Sequence, residues 1–436
     1  MADVRYDVLV IGAGPAGIAA AISAARAGAR VMLLDMQAEP GGQIWRGQWC
    51  TRSDHAAKVW MDMLEQVPVE CCFGARLVAV PDPHAVLVDC ADGARTLRFA
   101  RAVIATGARE LHLPFPGWSL PGVFGAGGLQ ALVKNGWPVA GKRVLVAGSG
   151  PLLLAVADSL RNAGAHVLAI AEQASHLAQA RFAPALLQAP RKLGQALGYG
   201  MRLRGIPRYA NAWVERADGV GRVHRVTVNI ADRHRVFDVD CLAVGYGLVP
   251  NLEVAAAFGC DLRDGAVRVD ARQTTSVAHV YCAGEGTGIG GVDQALAQGE
   301  IAGYAAAGHS ELAGAAPARR RAAQRFGAAL ARTFALRPQL RTLAADDTVL
   351  CRCEDVPYGA ARACATQREA KLHTRLGMGH CQGRVCGAAC GFLFDWNAPA
   401  SVRLPLAPIA LGHLDFSTRT TDDAVLQPRP HLPTRH

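Results

Sequence analysis

The chain has 436 residues, 51% of them apolar and 19% charged, with a net charge of +10. That composition supplies a large core and excludes global disorder, and the length is that of roughly two to four domains. Arginine carries nearly all of the positive charge, because only five lysines are present, and the basic residues are spread along the chain rather than gathered with aromatics. Nucleic acid is therefore not an expected partner.

Residues 1–6 lead straight into a strand pattern, with no secretion signal. The uncharged run 8–25 spans 18 residues but contains Gly12, Gly14, Pro15 and Gly17. It reads as a buried strand, a tight turn and a buried helix, not as a transmembrane segment. The expected location is the cytoplasm, either free or peripheral to the inner membrane.

Tyr6-Asp7-Val8-Leu9-Val10-Ile11 is the expected first strand, followed by Gly12-Ala13-Gly14-Pro15-Ala16-Gly17 and an alanine-rich helix. Gly12 permits the turn, Gly14 admits a pyrophosphate to backbone N–H groups, and Gly17 lets the helix pack close to the strand. A second strand ends at Asp35, 18 residues after Gly17, where a carboxylate can accept from ribose hydroxyls. The same unit recurs at Lys142-Arg143-Val144-Leu145-Val146-Ala147, with the turn Gly148-Ser149-Gly150-Pro151-Leu152-Leu153 and an acid at Glu172. Leucine at 153 replaces the third glycine and is expected to push the helix off the strand and blunt the phosphate site. Gly148, Gly150 and Glu172 thus mark a site for NAD, for another adenine nucleotide, or for nothing.

The expected architecture is α/β, with two interleaved Rossmann-like domains and a small, mainly helical C-terminal domain. Residues 1–112 and 263–310 form the first domain, and 113–262 the second. Residues 311–345 are Ala/Arg-rich and read as a connecting helix, 346–399 hold the cysteine block, and 400–436 are a Pro-rich tail. The tail carries Pro405, Pro408, Pro428, Pro430 and Pro433 and is expected to wrap a surface or fray.

Thirteen cysteines, an odd number, do not describe a secreted disulfide framework. Cys50, Cys71, Cys72, Cys90, Cys241, Cys260 and Cys282 are scattered among apolar residues and read as small buried hydrophobes. The other six fall between 351 and 390. Cys351 and Cys353 form one close pair and Cys381 and Cys386 another, the spacing by which a chain presents four thiolates together. Zinc and an iron–sulfur cluster both accept such a set, with Cys364 and Cys390 as alternative ligands. A thiol–disulfide reductase needs a cysteine pair beside its flavin, and neither Cys50 nor the adjacent Cys71 and Cys72 supplies one.

Several stretches resemble a known family. They are Gly41-Gly42-Gln43-Ile44-Trp45-Arg46, Ala105-Thr106-Gly107-Ala108, Pro114-Phe115-Pro116-Gly117-Trp118, the second glycine turn with its leucine, and Val244-Gly245-Tyr246-Gly247. Cys351-Arg352-Cys353-Glu354 and the run from Thr374 through Arg384 are the most specific. The chain is similar to the A-type subunits of opine oxidases, the B-type subunits of hydrogen cyanide synthases and the corresponding D-hydroxyproline dehydrogenase subunits. Val280-Tyr281-Cys282-Ala283-Gly284-Glu285 resembles the closing FAD motif of two-dinucleotide-domain flavoproteins, with Glu285 for the usual Asp.

The resemblance implies FAD held by the first glycine turn with Asp35, Gly42, Gln43, Ala105, Thr106, Gly107, Gly284 and Glu285. It also implies a 2Fe–2S cluster of the bacterioferritin-associated-ferredoxin type on Cys351, Cys353, Cys381 and Cys386. The implied partners are an FAD-dependent subunit that oxidises an amino or imino acid and a small ferredoxin-like subunit. The implied activity is electron transfer within that complex. The competing readings are a self-sufficient NAD(P)H-dependent flavin reductase using Gly148, Gly150 and Glu172, and a zinc-bearing scaffold without redox chemistry.

Overall fold

The computed structural model describes residues 6–396 and 403–413. The chain forms two compact units. The first gathers residues 1–109, 250–325 and 399–436, and the second gathers 110–249 and 326–398. The cysteine block therefore shares a unit with the second glycine turn. Pro428, Pro430 and Pro433 lie outside the described residues.

In the first unit the strands are β1 (Tyr6–Ile11), β2 (Val31–Asp35), β3 (Val69–Phe73), β4 (Arg76–Asp82), β5 (Ala85–Cys90) and β6 (Gly93–Ile104). They run β3-β2-β1-β6-β5-β4, and Val280–Cys282 also pairs with β6. Pairing is parallel among β3, β2, β1, the second half of β6 and Val280–Cys282. It is antiparallel from β6 through β5 to β4. The strands β1 and β2 read as near-continuous apolar runs because both of their faces are covered. The helix α1 (Pro15–Arg26) covers one face and packs against the helix Val292–Ala307. That contact is unusually close: a Cβ on Gly303 would stand 2.2 Å from the Ala20 carbonyl oxygen, and one on Gly299 2.2 Å from that of Ala16. Part of the tail lies on this unit, where the Leu406 N–H donates to the Val78 carbonyl at 2.7 Å.

The second unit holds a parallel five-stranded sheet, in the order Arg208–Ala210, His166–Glu172, Arg143–Gly148, Cys241–Gly245 and Val123–Gly125. A three-stranded antiparallel sheet (Ala212–Asp218, Arg225–Ile230, Arg233–Asp238) packs beside it. One buried cluster joins Trp118, Trp213 and Tyr246 of this sheet system to Leu350, Cys351, Leu376, Cys386 and Cys390 of the cysteine block. The segment expected as a connecting helix forms the helix Ala316–Thr333 and the 3-10 turn Pro338–Thr342. Among the described residues, no helix is long and apolar enough to cross a membrane.

Candidate functional site

The first glycine turn is fixed by close backbone approach. Gly12 has φ +106°, and a Cβ there would meet the Ala105 carbonyl oxygen at 2.3 Å. A Cβ on Gly17 would meet the Gly12 oxygen at 1.7 Å, so only glycine lets α1 start this near the strand. At Gly14 the situation reverses, because the nearest atom to an added Cβ is the Gly42 Cα at 3.9 Å. That opening is what the middle glycine of a dinucleotide turn leaves for a pyrophosphate. The N-cap Gly14 provides no side-chain cap, so the first N–H groups of α1 remain for an anion.

Asp35 organises the turn. Its Oδ2 accepts from the Ala13 N–H at 2.5 Å and its Oδ1 from the Gln37 N–H at 2.7 Å. Burial raises its carboxyl above the ordinary value, against the pull of those two bonds and of Arg46. A carboxylate has roughly four acceptor positions, so two remain for ribose hydroxyls. Gln43 accepts from the Arg46 Nη2 at 3.0 Å, while the Arg46 Nε is buried without a partner. An orphaned cationic N–H beside the ribose acid fits an anionic dinucleotide.

The loop Ala105-Thr106-Gly107 is held by a residue that sequence spacing does not mark. Asn251 Nδ2 donates to the Thr106 carbonyl at 2.8 Å, Thr106 Oγ1 donates to the Asn251 carbonyl at 3.0 Å, and Arg109 Nη1 donates to Asn251 Oδ1 at 2.7 Å. Gly284 sits against α1, where a Cβ would be 2.8 Å from the Ala16 Cβ, and its N–H donates to the buried Gln298. Glu285 accepts from the N–H groups of Gly290 and Gly291 at 3.1 and 2.9 Å, and burial raises its carboxyl. The longer acid thus anchors the start of the helix Val292–Ala307 through two of its acceptor positions.

The second glycine turn has the same skeleton and a different occupant. Gly148 has φ +137°, and Glu172 accepts from the Gly150 N–H at 2.6 Å and the Ala174 N–H at 2.8 Å. Leu153 takes the place that Gly17 holds in the first turn, and its helix begins at Leu152. Leu153 is buried among Val144, Val146 and Val156, and the glycine at 245, only 4.0 Å from its Cδ2 at the Cβ position, leaves it room. Phe334 packs beside this turn, its ring Cγ 3.8 Å from the Cβ position of Gly150, a clearance close to the 3.9 Å at Gly14. Ser149 Oγ donates to the Phe334 carbonyl at 3.0 Å. Gln173, fully buried, donates to Ser149 Oγ and to the Ala335 carbonyl, and accepts from the Arg337 N–H. Residues 334–337 are thus tied to this turn through the side chains of Ser149 and Gln173.

The four cysteines come together in crossed pairs. Cys351 ends the strand Val349–Cys351, and Cys386 opens the helix Cys386–Phe394. The Cys386 thiol donates to Cys351, which that bond and the N–H groups of Gly377, Glu354 and Cys353 hold down to about 5, while Cys386 is raised. Burial and a bond to Cys381 raise the Cys353 thiol. Glycines let the loop wrap these thiols: a Cβ on Gly379 would strike the Cys353 Cβ at 2.4 Å, and one on Gly377 would stand 3.4 Å from the Gly383 Cα. Among the described residues, no three or more His, Cys, Asp or Glu side chains surround a single metal position. Cys364 donates to the Ala360 carbonyl, and burial pushes the Cys390 thiol up to about 12.

Comparison with known proteins agrees with this geometry. The pyridine nucleotide-disulphide oxidoreductase family model matches residues 6–299. The hydrogen cyanide synthase subunit HcnB of Pseudomonas aeruginosa is 33% identical, over 88% of this chain and 91% of that one. The A-type opine oxidase subunit of Rhizobium meliloti is 32% identical, over 94% and 98%. Among solved structures, the L-proline dehydrogenase from P. horikoshii superposes with a TM-score of 0.66 and 22% identity, over 94% of this chain and 79% of that one.

Proposed function

Because the chain belongs to the pyridine nucleotide-disulphide oxidoreductase family, whose members are flavin oxidoreductases, we propose that it is the FAD- and 2Fe–2S-bearing electron-transfer subunit of an amino- or imino-acid dehydrogenase or oxidase. The complex is hetero-oligomeric and of the opine, D-hydroxyproline or glycine type, and a second FAD-dependent subunit oxidises the substrate's C–N bond. The relatives named above support the multi-subunit setting, since both are subunits.

The observation that carries the reading is the convergence of Cys351, Cys353, Cys381 and Cys386, each of which interacts with two others of the set. Zinc and a two-iron cluster both take four cysteines. The flavin-family domain of the same chain favours the redox-active group. Such a cluster, when bound, supplies one-electron chemistry that zinc does not. Within the chain, Gly377, Gly379 and Gly383 let the backbone close on the thiols, and the N–H groups of Gly377 and Glu354 stabilise the thiolate at Cys351. In the other unit, Gly14, Asp35 and Arg46 would bind and orient the FAD.

The NAD(P)H-reductase alternative would use Gly148, Gly150 and Glu172, beside which Phe334 packs. Anaerobic mixing of the isolated chain with NADH tests the choice. Under the proposal the flavin stays oxidised; rapid bleaching of its visible bands would return the second turn to a nicotinamide role.

A further inference from the structure

Cys71 and Cys72 are neighbours in sequence and lie on opposite faces of β3, as strand alternation requires. Cys71 packs with the cluster that contains α1, and burial pushes its thiol up to about 12. Cys72 packs with the cluster on the other face, which also holds Cys90, the last residue of β5. The strands β2, β1 and β6 stand between β3 and β5 in the sheet order. Even so, the two sulfurs are 4.0 Å apart. Both side chains are only partly buried. Arg95 acts electrostatically on both, and Asp92 pairs with Arg95.

We propose that Cys72 and Cys90 form a reversible dithiol–disulfide site, oxidised by a peroxide. The Cys72 thiolate attacks the O–O bond, which breaks; Cys72 becomes a sulfenic acid and one water leaves after proton uptake. The Cys90 thiol then attacks the sulfenic sulfur, the S–S bond forms, and a second water leaves. The two thiols lose two electrons and two protons, and the peroxide takes up both. A small thiol reductant reverses the reaction by exchange. Cys72 is the attacking group because the pairing with Cys90 favours its thiolate, holding it at about 7, and raises Cys90.

Closing the bond requires the sulfurs to move from 4.0 Å to about 2 Å. Cys90 precedes the turn 91–92 that leads into β6, where the backbone is free of the ladder. The product cross-links the edge strand β3 to the β5–β6 hairpin and closes the chain segment between 72 and 90. This site is independent of the flavin and cluster assignments and of the reading proposed above.

The test uses the full-length, cofactor-loaded protein. It is treated with hydrogen peroxide, quenched with an alkylating agent, digested and mapped by mass spectrometry. The expected result is a cross-linked peptide pair joining Cys72 to Cys90, lighter by two hydrogens than the two free peptides. It should disappear on treatment with dithiothreitol and be absent from Cys72→Ser. In Cys90→Ser the intermediate should accumulate and be trapped by dimedone on Cys72. Separate alkylation of both cysteines after peroxide, or sulfinic acid on Cys72 without a cross-link, would overturn the proposal. The wild-type map alone decides the matter if either variant fails to fold.

Discussion

Phe334 lies against Gly150, its Cγ 3.8 Å from where a Cβ would stand, and its carbonyl accepts from Ser149, the residue between the two glycines of the second turn. Ser149 and Gln173 thereby tie residues 334–337 to the turn that holds Gly148, Gly150 and Glu172.

Gln173 is the hub of that contact, bonding Ser149, Ala335 and Arg337 from a fully buried position. Gln173→Leu keeps the bulk and removes the bonds to the Ala335 carbonyl and the Arg337 N–H. The expected loss is about 2–4 kcal/mol of stability, read as a lower urea midpoint. FAD content should not change, because the flavin residues belong to the other unit.

Two glycines of the first turn should behave differently when a methyl group is added. Gly17→Ala places a Cβ 1.7 Å from a carbonyl oxygen and should cost more than about 3 kcal/mol, giving little folded protein. Gly14→Ala meets nothing nearer than 3.9 Å and should cost less than about 1 kcal/mol. It should nevertheless weaken FAD binding roughly a hundredfold by filling the approach to the backbone. Flavin fluorescence after gel filtration, alongside circular dichroism, separates the two effects.

The second turn also has a pH signature. Burial pushes the Glu172 carboxyl from 4.5 up to about 7, against the opposing N–H bonds of Ala174 and Gly150. Between those values the unfolded chain has released this proton and the folded chain retains it. Stability from this group is therefore full below about 4.5 and is lost as the pH rises through 7, a change on the order of 3 kcal/mol. Glu172→Gln should flatten that part of the curve, measured as urea midpoints at a series of pH values from about 5 to 8. An unchanged slope would place the titration elsewhere.

Much of the first site is legible in sequence, because strand, turn, helix and acid follow one another at fixed spacing. Gly12, Gly14, Gly17 and Asp35 stand together as that spacing implies. The cysteine set is legible as a set, whereas its pairing is not. Sequence neighbours suggest 351 with 353 and 381 with 386, and the fold crosses them. Asn251, Gln173, Gln298 and Phe334 carry no signal, since each acts on a partner distant in sequence or through a residue type common in any core.

Replacing single cysteines distinguishes ligands from bystanders. Cys381→Ser should abolish the absorption of the cluster while the flavin bands persist. Cys390→Ser, outside that set of four, should retain both.

The most direct test of the central claim is an iron and acid-labile sulfide assay, with a visible spectrum, on the anaerobically purified chain. The account predicts flavin bands with about two irons and two sulfides per chain, the content of a four-cysteine 2Fe–2S site. Flavin with one zinc and no sulfide would contradict it, leaving the fold intact and removing the electron-transfer role.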